Sequence, residues 1–178
     1  MGKTIVIHDK RFTKFISSAK IELALGRIAN RINKEYKNKC PVFISVLNGS
    51  FLFTADLLKK IKIECEVSFI KLASYSGTKS AGSIRELIGL GGNLKGRNVI
   101  VLEDIVDSGN TIERVIAELK KYDPASVKIA TLFFKPKAYK KKIKIDYVRI
   151  TIPEDFIVGY GLDYNGLGRN LNDVYIFK

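Results

Sequence analysis

Apolar segments of strand length recur along the chain, and segments with helical spacing separate them. The runs "PVFISVL" (41–47), "NVIVLEDIV" (98–106) and "SVKIATLFFK" (126–135) are mostly apolar, which is typical of strands buried on both faces. Two more segments, "ECEVSFIKLASY" (64–75) and "DYVRITI" (146–152), also read as strands. Alternating strands and helices predict an α/β fold with right-handed crossovers and a parallel sheet.

Three segments place apolar residues at helical spacing. The first covers residues 13–36, and its predicted inward positions are Phe15, Ile21, Leu25, Ile28 and Ile32. The second covers 51–61, and the third covers 111–122 with Ile112, Val115, Ile116 and Leu119 facing inward. By contrast, "SGTKSAGSIRE" (76–86) is polar and small without apolar periodicity, so it predicts a long mobile loop or a poorly ordered hairpin.

Length and composition limit the class of protein. The 178 residues predict a single domain, 1–178, and no apolar run approaches the roughly 20 residues of a membrane helix. The N-terminus lacks the apolar core of a secretory signal. The only cysteines, Cys40 and Cys65, lie in apolar surroundings and predict buried thiols. We therefore expect a cytoplasmic protein with no membrane partner.

The chain is strongly basic. Lys and Arg total 31 against 18 Asp and Glu, a net charge of +13, which suits nucleic acid, an acidic surface or a phosphate-rich ligand. Much of the excess lies in runs such as "FKPKAYKKKIK" that are typical of solvated surfaces. Aromatic and basic residues do not alternate as in single-strand binders, so no nucleic-acid partner is expected.

The richest candidate site follows the strand 98–106. In open parallel sheets, ligands bind beyond the carboxyl ends of the strands. Here "DSGNT" (107–111) leads directly into a helix, so its amides and the helix N-terminus form an anion cradle. An N-cap by Asp107 or Ser108 explains one residue but not Glu103 and Asp104. A carboxylate pair can accept hydrogen bonds from vicinal hydroxyls and hold a divalent cation.

Several other types of site are excluded by the motifs. The P-loop pattern GxxxxGK[ST] does not occur in the chain. The glycine-rich "GLGGNLKG" (89–96) precedes its strand, so it is not a dinucleotide fingerprint. His8 is the only histidine, which argues against a histidine triad or a histidine metal site.

The segment "VLEDIVDSGNT" resembles the phosphoribosyl-pyrophosphate signature of the phosphoribosyltransferases. Two further segments, "FIKLASYSGTKSAG" and "PEDFIVGYGLDYNGLGRNLNDV", resemble the hypoxanthine-guanine branch. The resemblance covers the chain from about residue 10. It implies a doubly wound parallel sheet flanked by helices (core about 10–150). It also implies a small C-terminal hood of about 151–178 with N-terminal residues, and a flexible flap of about 73–86.

The resemblance also implies a purine-salvage transferase whose substrates are 5-phosphoribosyl 1-pyrophosphate and a 6-oxopurine base, and whose cofactor is Mg²⁺. Glu103 and Asp104 match the acids that receive the ribose hydroxyls and are candidate metal ligands. Asp107 matches the carboxylate facing the purine ring, the expected proton acceptor. The loop that binds the 5′-phosphate is matched by Ser108, Gly109, Asn110 and Thr111.

The remaining implied roles concern the base and the pyrophosphate. The residues matching the base pocket are Lys135 for the 6-oxo group, Phe156 for stacking, Ile157 for backbone contacts, and Asp163, which is also a magnesium ligand through water. The residues matching the pyrophosphate site are Asn48, Gly49, Ser74, Tyr75 and Arg169. Alternatives stay open at three places. Phe156 could be core, Lys135 a surface lysine, and Asp163 with Arg169 a surface ion pair.

Departures from the family pattern lie near the pyrophosphate site. Asn48 and Ser50 stand where many relatives have a basic residue and a second glycine, and Ala73 stands where some have lysine. The resemblance further implies a cis peptide bond between Leu47 and Asn48, and a homodimer or homotetramer. Two alternative functions are a nucleotide-sensing regulator that binds RNA or DNA on the same fold, and a transferase that prefers xanthine or guanine.

Overall fold

A six-stranded sheet forms the body of the protein in the computed structural model, which describes residues 3–73, 85–88 and 93–177. Its strands are β3 (Val42–Val46), β4 (Glu66–Ala73), β5 (Arg85–Ile88), β6 (Asn98–Val106), β7 (Ser126–Phe134) and β8 (Tyr147–Thr151), in the order β5-β4-β3-β6-β7-β8. All neighbours pair in parallel except β4 and β5, which are antiparallel. The predicted parallel α/β sheet is therefore confirmed.

Helices lie on both faces of this sheet. Helices α1 (Ser18–Glu35) and α2 (Phe51–Leu58) pack in the larger core cluster, and α3 (Asn110–Lys120) packs in a second cluster on the other face. Alternate residues of the central strands supply the two clusters, since Ile100 and Leu102 belong to the first whereas Val99 and Val101 belong to the second. Burial on both faces explains why β6 reads as a continuous apolar run.

One sequence prediction of the first helix is wrong. The segment of 13–36 begins as a strand, and α1 starts at Ser18 with Ser17 accepting from the Lys20 amide at its N-terminus. Phe15 lies in that strand and is 40% exposed, whereas the helical pattern placed it inward. The serine cap ends the strand and starts the helix, and this local signal outweighs the apolar spacing of Phe15.

A second, antiparallel sheet covers the carboxyl end of the first. It consists of β1 (Thr4–Ile7), β2 (Lys10–Ile16), β9 (Ile157–Val158) and β10 (Val174–Phe177), in the order β1-β2-β10-β9. Phe12 is fully buried there with Val158 and Tyr175. This sheet joins the two ends of the chain, which no local sequence pattern indicated.

Two expectations drawn from the sequence concern the burial of the cysteines and the lack of a membrane helix. Cys40 and Cys65 are free thiols but only half-buried, so the prediction that both are buried is wrong. Both lie at the amino ends of β3 and β4, where the sheet is open to solvent. None of the helices in the described ranges is both long and apolar enough to span a bilayer.

Glu35 ties α1 to the sheet. Its carboxylate accepts hydrogen bonds from Tyr147 Oη at 2.5 Å, Lys128 Nζ at 3.0 Å and Arg31 Nε at 2.6 Å. Burial alone would raise the pKa of Glu35, but these three donors outweigh it and lower the pKa to about 2. Because the folded pKa lies below the unfolded one, the stabilisation is present above about pH 4.3. It is lost as the pH falls towards 2.

Replacement of Glu35 by Gln should therefore destabilise the protein at neutral pH. We expect a loss of about 1 to 2 kcal/mol at pH 7, since the carboxylate is partly exposed, and a smaller loss near pH 2 to 3. Urea denaturation at both pH values measures this. The control is Glu118→Gln, whose carboxylate pairs with Lys121 on the surface of α3 and should change stability by less than about 0.5 kcal/mol. Equal losses at both pH values would contradict the ionic origin.

Candidate active site

The carboxyl ends of β3, β6 and β7 meet at one cavity of about 390 Å³. Residues after β6 form one wall, and residues 156–169 from the second sheet and its connections form the opposite wall. Parallel strands that end at the same edge bring distant residues together, as expected for an open α/β sheet. The site therefore needs both sheets.

The loop between β6 and α3 offers backbone donors. Gly109 has φ +86°, a left-handed conformation that favours glycine, and it precedes the first turn of α3. No side chain caps this helix, so the alternative of an ordinary helix start capped by Asp107 or Ser108 is wrong. Among the described residues, the amides of Ser108, Gly109 and Thr111 have no acceptor, and Asn110 N donates only to Ser108 Oγ at 3.5 Å. Free amides at a helix N-terminus can hold an anion.

Two buried carboxyl groups lie beside this loop. Glu103 is 8% and Asp104 is 6% exposed, and Glu103 Oε2 has no hydrogen-bond partner among the described residues. Burial, and secondly the neighbouring Asp104, raises the pKa of Glu103 well above its usual value. Burial also raises the pKa of Asp104 to about 6, although a hydrogen bond from the Ile105 amide and the charge of Arg169 oppose the rise. A ligand carrying hydroxyls or a cation would relieve this destabilised pair.

The turn after β3 presses against the acidic pair. The Leu47–Asn48 peptide bond is cis, as the resemblance implied. A side chain at Gly49 would collide with the Asp104 carboxylate, so only glycine allows this close approach. Ser50 is fully buried, with its Oγ 2.7 Å from Ser45 Oγ and donating to the Val46 carbonyl. The serine thus anchors the turn to β3.

Lys135 and Asp107 form the next part of the wall. Lys135 follows β7, is only 7% exposed, and donates from Nζ to Asp107 Oδ2 and to the Glu154 carbonyl, both at 3.2 Å. The alternative of a surface lysine is therefore wrong. The Asp107 side chain is 53% exposed, so its carboxylate can accept a further ligand.

Phe156, Ile157, Asp163 and Arg169 complete the opposite wall. Phe156 is 46% exposed, so the alternative that it belongs to the core is wrong. Asp163 and Arg169 form an ion pair with 2.5 Å between Oδ1 and Nη2, and Gly166 N donates to Asp163 Oδ2 at 2.7 Å. The pair lines the cavity, and the Arg169 guanidinium also donates to the Gly161 carbonyl at 2.6 Å.

The predicted site residues fall into three groups. Those that line the cavity are Gly49, Glu103, Asp104, Asp107, Thr111, Lys135, Phe156, Ile157, Asp163 and Arg169. Those that adjoin it in the same turns without lining it are Asn48, Ser108, Gly109 and Asn110. Ser74 and Tyr75, with most of the predicted 73–86 loop, lie outside the described residues.

The sequence analysis missed Arg114, which also lines the cavity. It stands four residues after Asn110 on α3, so helical spacing from the phosphate-loop motif could have indicated it. No cluster of three or more His, Cys, Asp or Glu able to hold a metal ion occurs in residues 3–73, 85–88 and 93–177. Any cation here would need ligands from elsewhere in addition to the acidic pair.

Known proteins resemble the chain along most of its length. The Phosphoribosyl transferase domain family matches residues 15–165. A hypoxanthine phosphoribosyltransferase of Buchnera aphidicola subsp. Schizaphis graminum is 40% identical over 152 residues, covering 84% of this chain and 86% of the relative. A hypoxanthine-guanine phosphoribosyltransferase of Streptococcus pneumoniae strain R6 is 38% identical over 177 residues, covering 99% and 93%.

Solved structures agree with these relatives. A hypoxanthine-guanine phosphoribosyltransferase from Bacillus anthracis superposes with a TM-score of 0.85 at 35% identity, covering 92% of this chain and 96% of that one. A hypoxanthine phosphoribosyl transferase of Trypanosoma cruzi gives a TM-score of 0.87 at 31% identity, covering 98% and 95%. Because the family model matches residues 15–165 and the relatives and solved structures cover most of the chain, this chain belongs to the phosphoribosyltransferase family.

Proposed function

We propose that the protein is a purine-salvage transferase that forms IMP from hypoxanthine, and GMP from guanine. The other substrate is 5-phosphoribosyl 1-pyrophosphate, and pyrophosphate is released. The observation that carries this proposal is one cavity that joins the acidic pair, the phosphate loop and the Lys135–Asp107 pair. The names of the relatives support the same reaction.

The sugar phosphate would lie between β6 and α3. The free amides of Ser108, Gly109 and Thr111, with the Thr111 hydroxyl, would bind the 5′-phosphate at the positive end of α3. Glu103 and Asp104 would accept hydrogen bonds from the ribose hydroxyls. The positive charge that develops on the ribose in the transition state would be stabilised by the same carboxylates.

The base would lie between Phe156 and Lys135. The Phe156 ring is exposed to the cavity and would stack on the purine, while Ile157 would offer its backbone to the base edge. The Lys135 ammonium would donate to a 6-oxo group. A cation at that position disfavours an exocyclic amine, so adenine should bind poorly. Asp107 would accept the purine proton as the ring nitrogen attacks the ribose.

The acidic pair fits a magnesium ion that arrives with the substrate. Mg²⁺ commonly binds one or two protein carboxylates together with substrate phosphates, and Glu103 Oε2 is a buried oxygen without a partner. Glu103 and Asp104 would hold the ion, and Asp163 would contact it through water. When bound, the ion neutralises charge on the departing pyrophosphate.

Pyrophosphate would lie near the 47–49 turn and Arg169. Backbone groups of Asn48 and Gly49 would bind it, and Arg169 would supply charge beside Asp163. We further propose that Ser74 and Tyr75, in a flap of about 73–86, close over the leaving group and exclude water. The antiparallel sheet would act as the hood of a single domain in a cytoplasmic enzyme.

The regulator alternative is less well supported. A protein that only senses the sugar phosphate has no need for a base pocket, yet Lys135, Asp107 and Phe156 line the same cavity as the acidic pair. The basic surface alone does not favour RNA or DNA, since several lysines are in ion pairs with acids. The choice between hypoxanthine, guanine and xanthine depends on the protein groups that contact the purine 2-position. An assay with each base measures this preference.

An activity assay tests the proposed reaction. With 5-phosphoribosyl 1-pyrophosphate and magnesium, we expect turnover of 6-oxopurines and none of adenine. In Asp107→Asn, kcat should fall about 100-fold or more, because general-base catalysis contributes roughly 10² to 10⁴. The matched control is Asp155→Asn, an exposed acid outside the cavity lining, which should leave kcat unchanged. Tight sugar-phosphate binding without turnover of any base would support the regulator instead.

The acidic pair should destabilise the folded protein at high pH. The folded pKa of Asp104 lies near 6, above its unfolded value, so protonation of Asp104 favours folding below about pH 4. As the pH rises through 6, that contribution is lost. Asp104→Asn should therefore raise the free energy of unfolding by about 1 to 3 kcal/mol at pH 8 and leave it nearly unchanged at pH 4. The same variant should bind the sugar phosphate more weakly.

Denaturation of Asp104→Asn at the two pH values, beside Asp155→Asn, measures this effect. A variant that is less stable than the natural protein at pH 8 would show that the carboxylate is favourably solvated or paired, contrary to its burial.

We also propose a homodimer or homotetramer. Val67 and Phe69 lie on one face of β4 and are 45% and 37% exposed, and Phe51 at the start of α2 is 39% exposed. Phe69 is in register with Ser45 of β3, and the Ser45 hydroxyl lies 2.7 Å from that of Ser50, the residue before α2, so β4 and the start of α2 adjoin the same part of β3. Exposed apolar side chains grouped in one region are typical of subunit interfaces.

Sedimentation equilibrium tests this assembly. The natural chain should sediment as an oligomer, and Phe69→Asp should shift the distribution towards the monomer because a charge would be buried at the interface. Leu23→Asp is the control, since Leu23 is 66% exposed and lies on α1 instead of β4 or α2. A monomeric natural chain at micromolar concentration would overturn the proposal.

A further inference from the structure

The connection between β7 and β8 packs against the loop that we assign to the 5′-phosphate. Residues 139–141, here called the buttress, contact Ser108 and Gly109 of that loop and Glu113 in the first turn of α3. A Cβ atom added at Gly109 would lie 2.5 Å from Tyr139 Cε2 and 2.8 Å from Lys141 Cγ. The buttress therefore fills the space that a side chain at position 109 would need.

A hydrogen bond from the buttress fixes the orientation of the peptide group before Gly109. Lys140 N donates to the Ser108 carbonyl at 3.3 Å. In a planar trans peptide, the carbonyl oxygen and the following amide hydrogen point in opposite directions. Because the Ser108 carbonyl is turned towards the buttress, the Gly109 N–H is turned away from it, and this amide has no acceptor among the described residues.

Tyr139 is itself held firmly in place. Its ring packs edge-to-face on Phe134, with 5.3 Å between the ring centroids and an interplanar angle of 69°. Its hydroxyl donates to the Ile143 carbonyl at 2.5 Å, and its amide donates to the Lys135 carbonyl at 3.1 Å. Tyr139 thus connects the phosphate loop to the backbone of the lysine in the base pocket.

Lys141 holds the other side of the loop. Its ammonium pairs with Glu113 Oε2 at 2.7 Å, and Glu113 lies in the first turn of α3. The aliphatic part of Lys141 crosses Gly109, and its side chain is only 22% exposed. The Lys141 ammonium neutralises the Glu113 carboxylate in the first turn of α3, so this acid does not repel an anion bound at the loop.

We propose that Tyr139 and Lys141 are positioning residues for the 5′-phosphate. They hold the Ser108–Gly109 peptide with its amide towards the ligand, so the loop is ordered before the phosphate arrives. Pre-ordering lowers the entropy that binding would otherwise cost. The inference rests on the proposed function for the identity of the substrate, but the effect on anion binding can be measured without any turnover.

The direct test is the binding of ribose 5-phosphate by calorimetry. In Tyr139→Ala the ring is lost, and we expect the Kd to rise about tenfold, which corresponds to about 1.4 kcal/mol. The KM for 5-phosphoribosyl 1-pyrophosphate should rise in parallel, whereas kcat should change by less than about threefold, because the reacting groups are untouched. Tyr139→Phe keeps the ring but loses the bond to Ile143, so it should bind ribose 5-phosphate nearly as the natural protein does.

A second pair of variants separates local contact from overall charge and does not depend on the folding of Tyr139→Ala. Lys141→Ala should raise the Kd of ribose 5-phosphate about threefold or more, equal to about 0.7 kcal/mol. Lys142→Ala removes the same charge from the neighbouring, exposed residue and should leave the Kd within a factor of about 1.5. Equal weakening in the two variants would overturn the proposal, since overall charge would then explain both.

The remaining outcomes are also distinct. If Tyr139→Ala binds ribose 5-phosphate within twofold of the natural protein, the buttress has no positioning role, whatever the change in Tm. If the natural protein binds ribose 5-phosphate but transfers no phosphoribosyl group from 5-phosphoribosyl 1-pyrophosphate to any base, the proposed function fails. The comparison of Kd values still tests the buttress in that case.

Discussion

Burial of the Glu103–Asp104 pair is the constraint on which the site depends. Two adjacent carboxyl groups at the end of a central strand are shielded from water, and burial raises the pKa of both. The fold holds them there because β6 lies between two strands and two helical layers, which leave the strand end no freedom to turn outward. A hydroxylated, cation-bearing ligand would supply the partners that these groups lack.

The basic side chains in the same cavity are themselves held in ion pairs. Lys135 and Arg169 are both in ion pairs within the cavity, with Asp107 and Asp163. Each cation is therefore held in position before any ligand binds, and little side-chain entropy remains to be lost. Neither cation forms an ion pair with Glu103 or Asp104 among the described residues, so both acids stay available to a ligand.

Two glycines allow the close approaches that the site requires. Gly49 lets the turn after β3 pack on the Asp104 carboxylate, and Gly109 lets the phosphate loop pack on Tyr139. In both places a side chain would push the loop away from the strand end. The geometry of the phosphate loop thus depends on a segment far along the chain, since residues 139–141 follow the next strand of the sheet.

The sequence by itself determined the parallel sheet, the helices and the acidic loop that follows β6. These features depend on local patterns, namely apolar runs buried on two faces, helical spacing, and polar residues directly after a strand. The resemblance added the base and pyrophosphate residues, of which Lys135, Phe156 and Arg169 line the cavity. Local pattern misassigned Phe15, because a serine cap outweighed apolar spacing.

Only the tertiary structure decided which residues that are distant in sequence contact one another. The strand order β1-β2-β10-β9, the ion pair of Lys135 with Asp107 and the contact of Tyr139 with Gly109 involve residues that are far apart in sequence. Such contacts depend on how the helices and strands pack, and that packing cannot be deduced from a short segment of the sequence. Burial, and with it the raised pKa of the acidic pair, is likewise a property of the assembled fold.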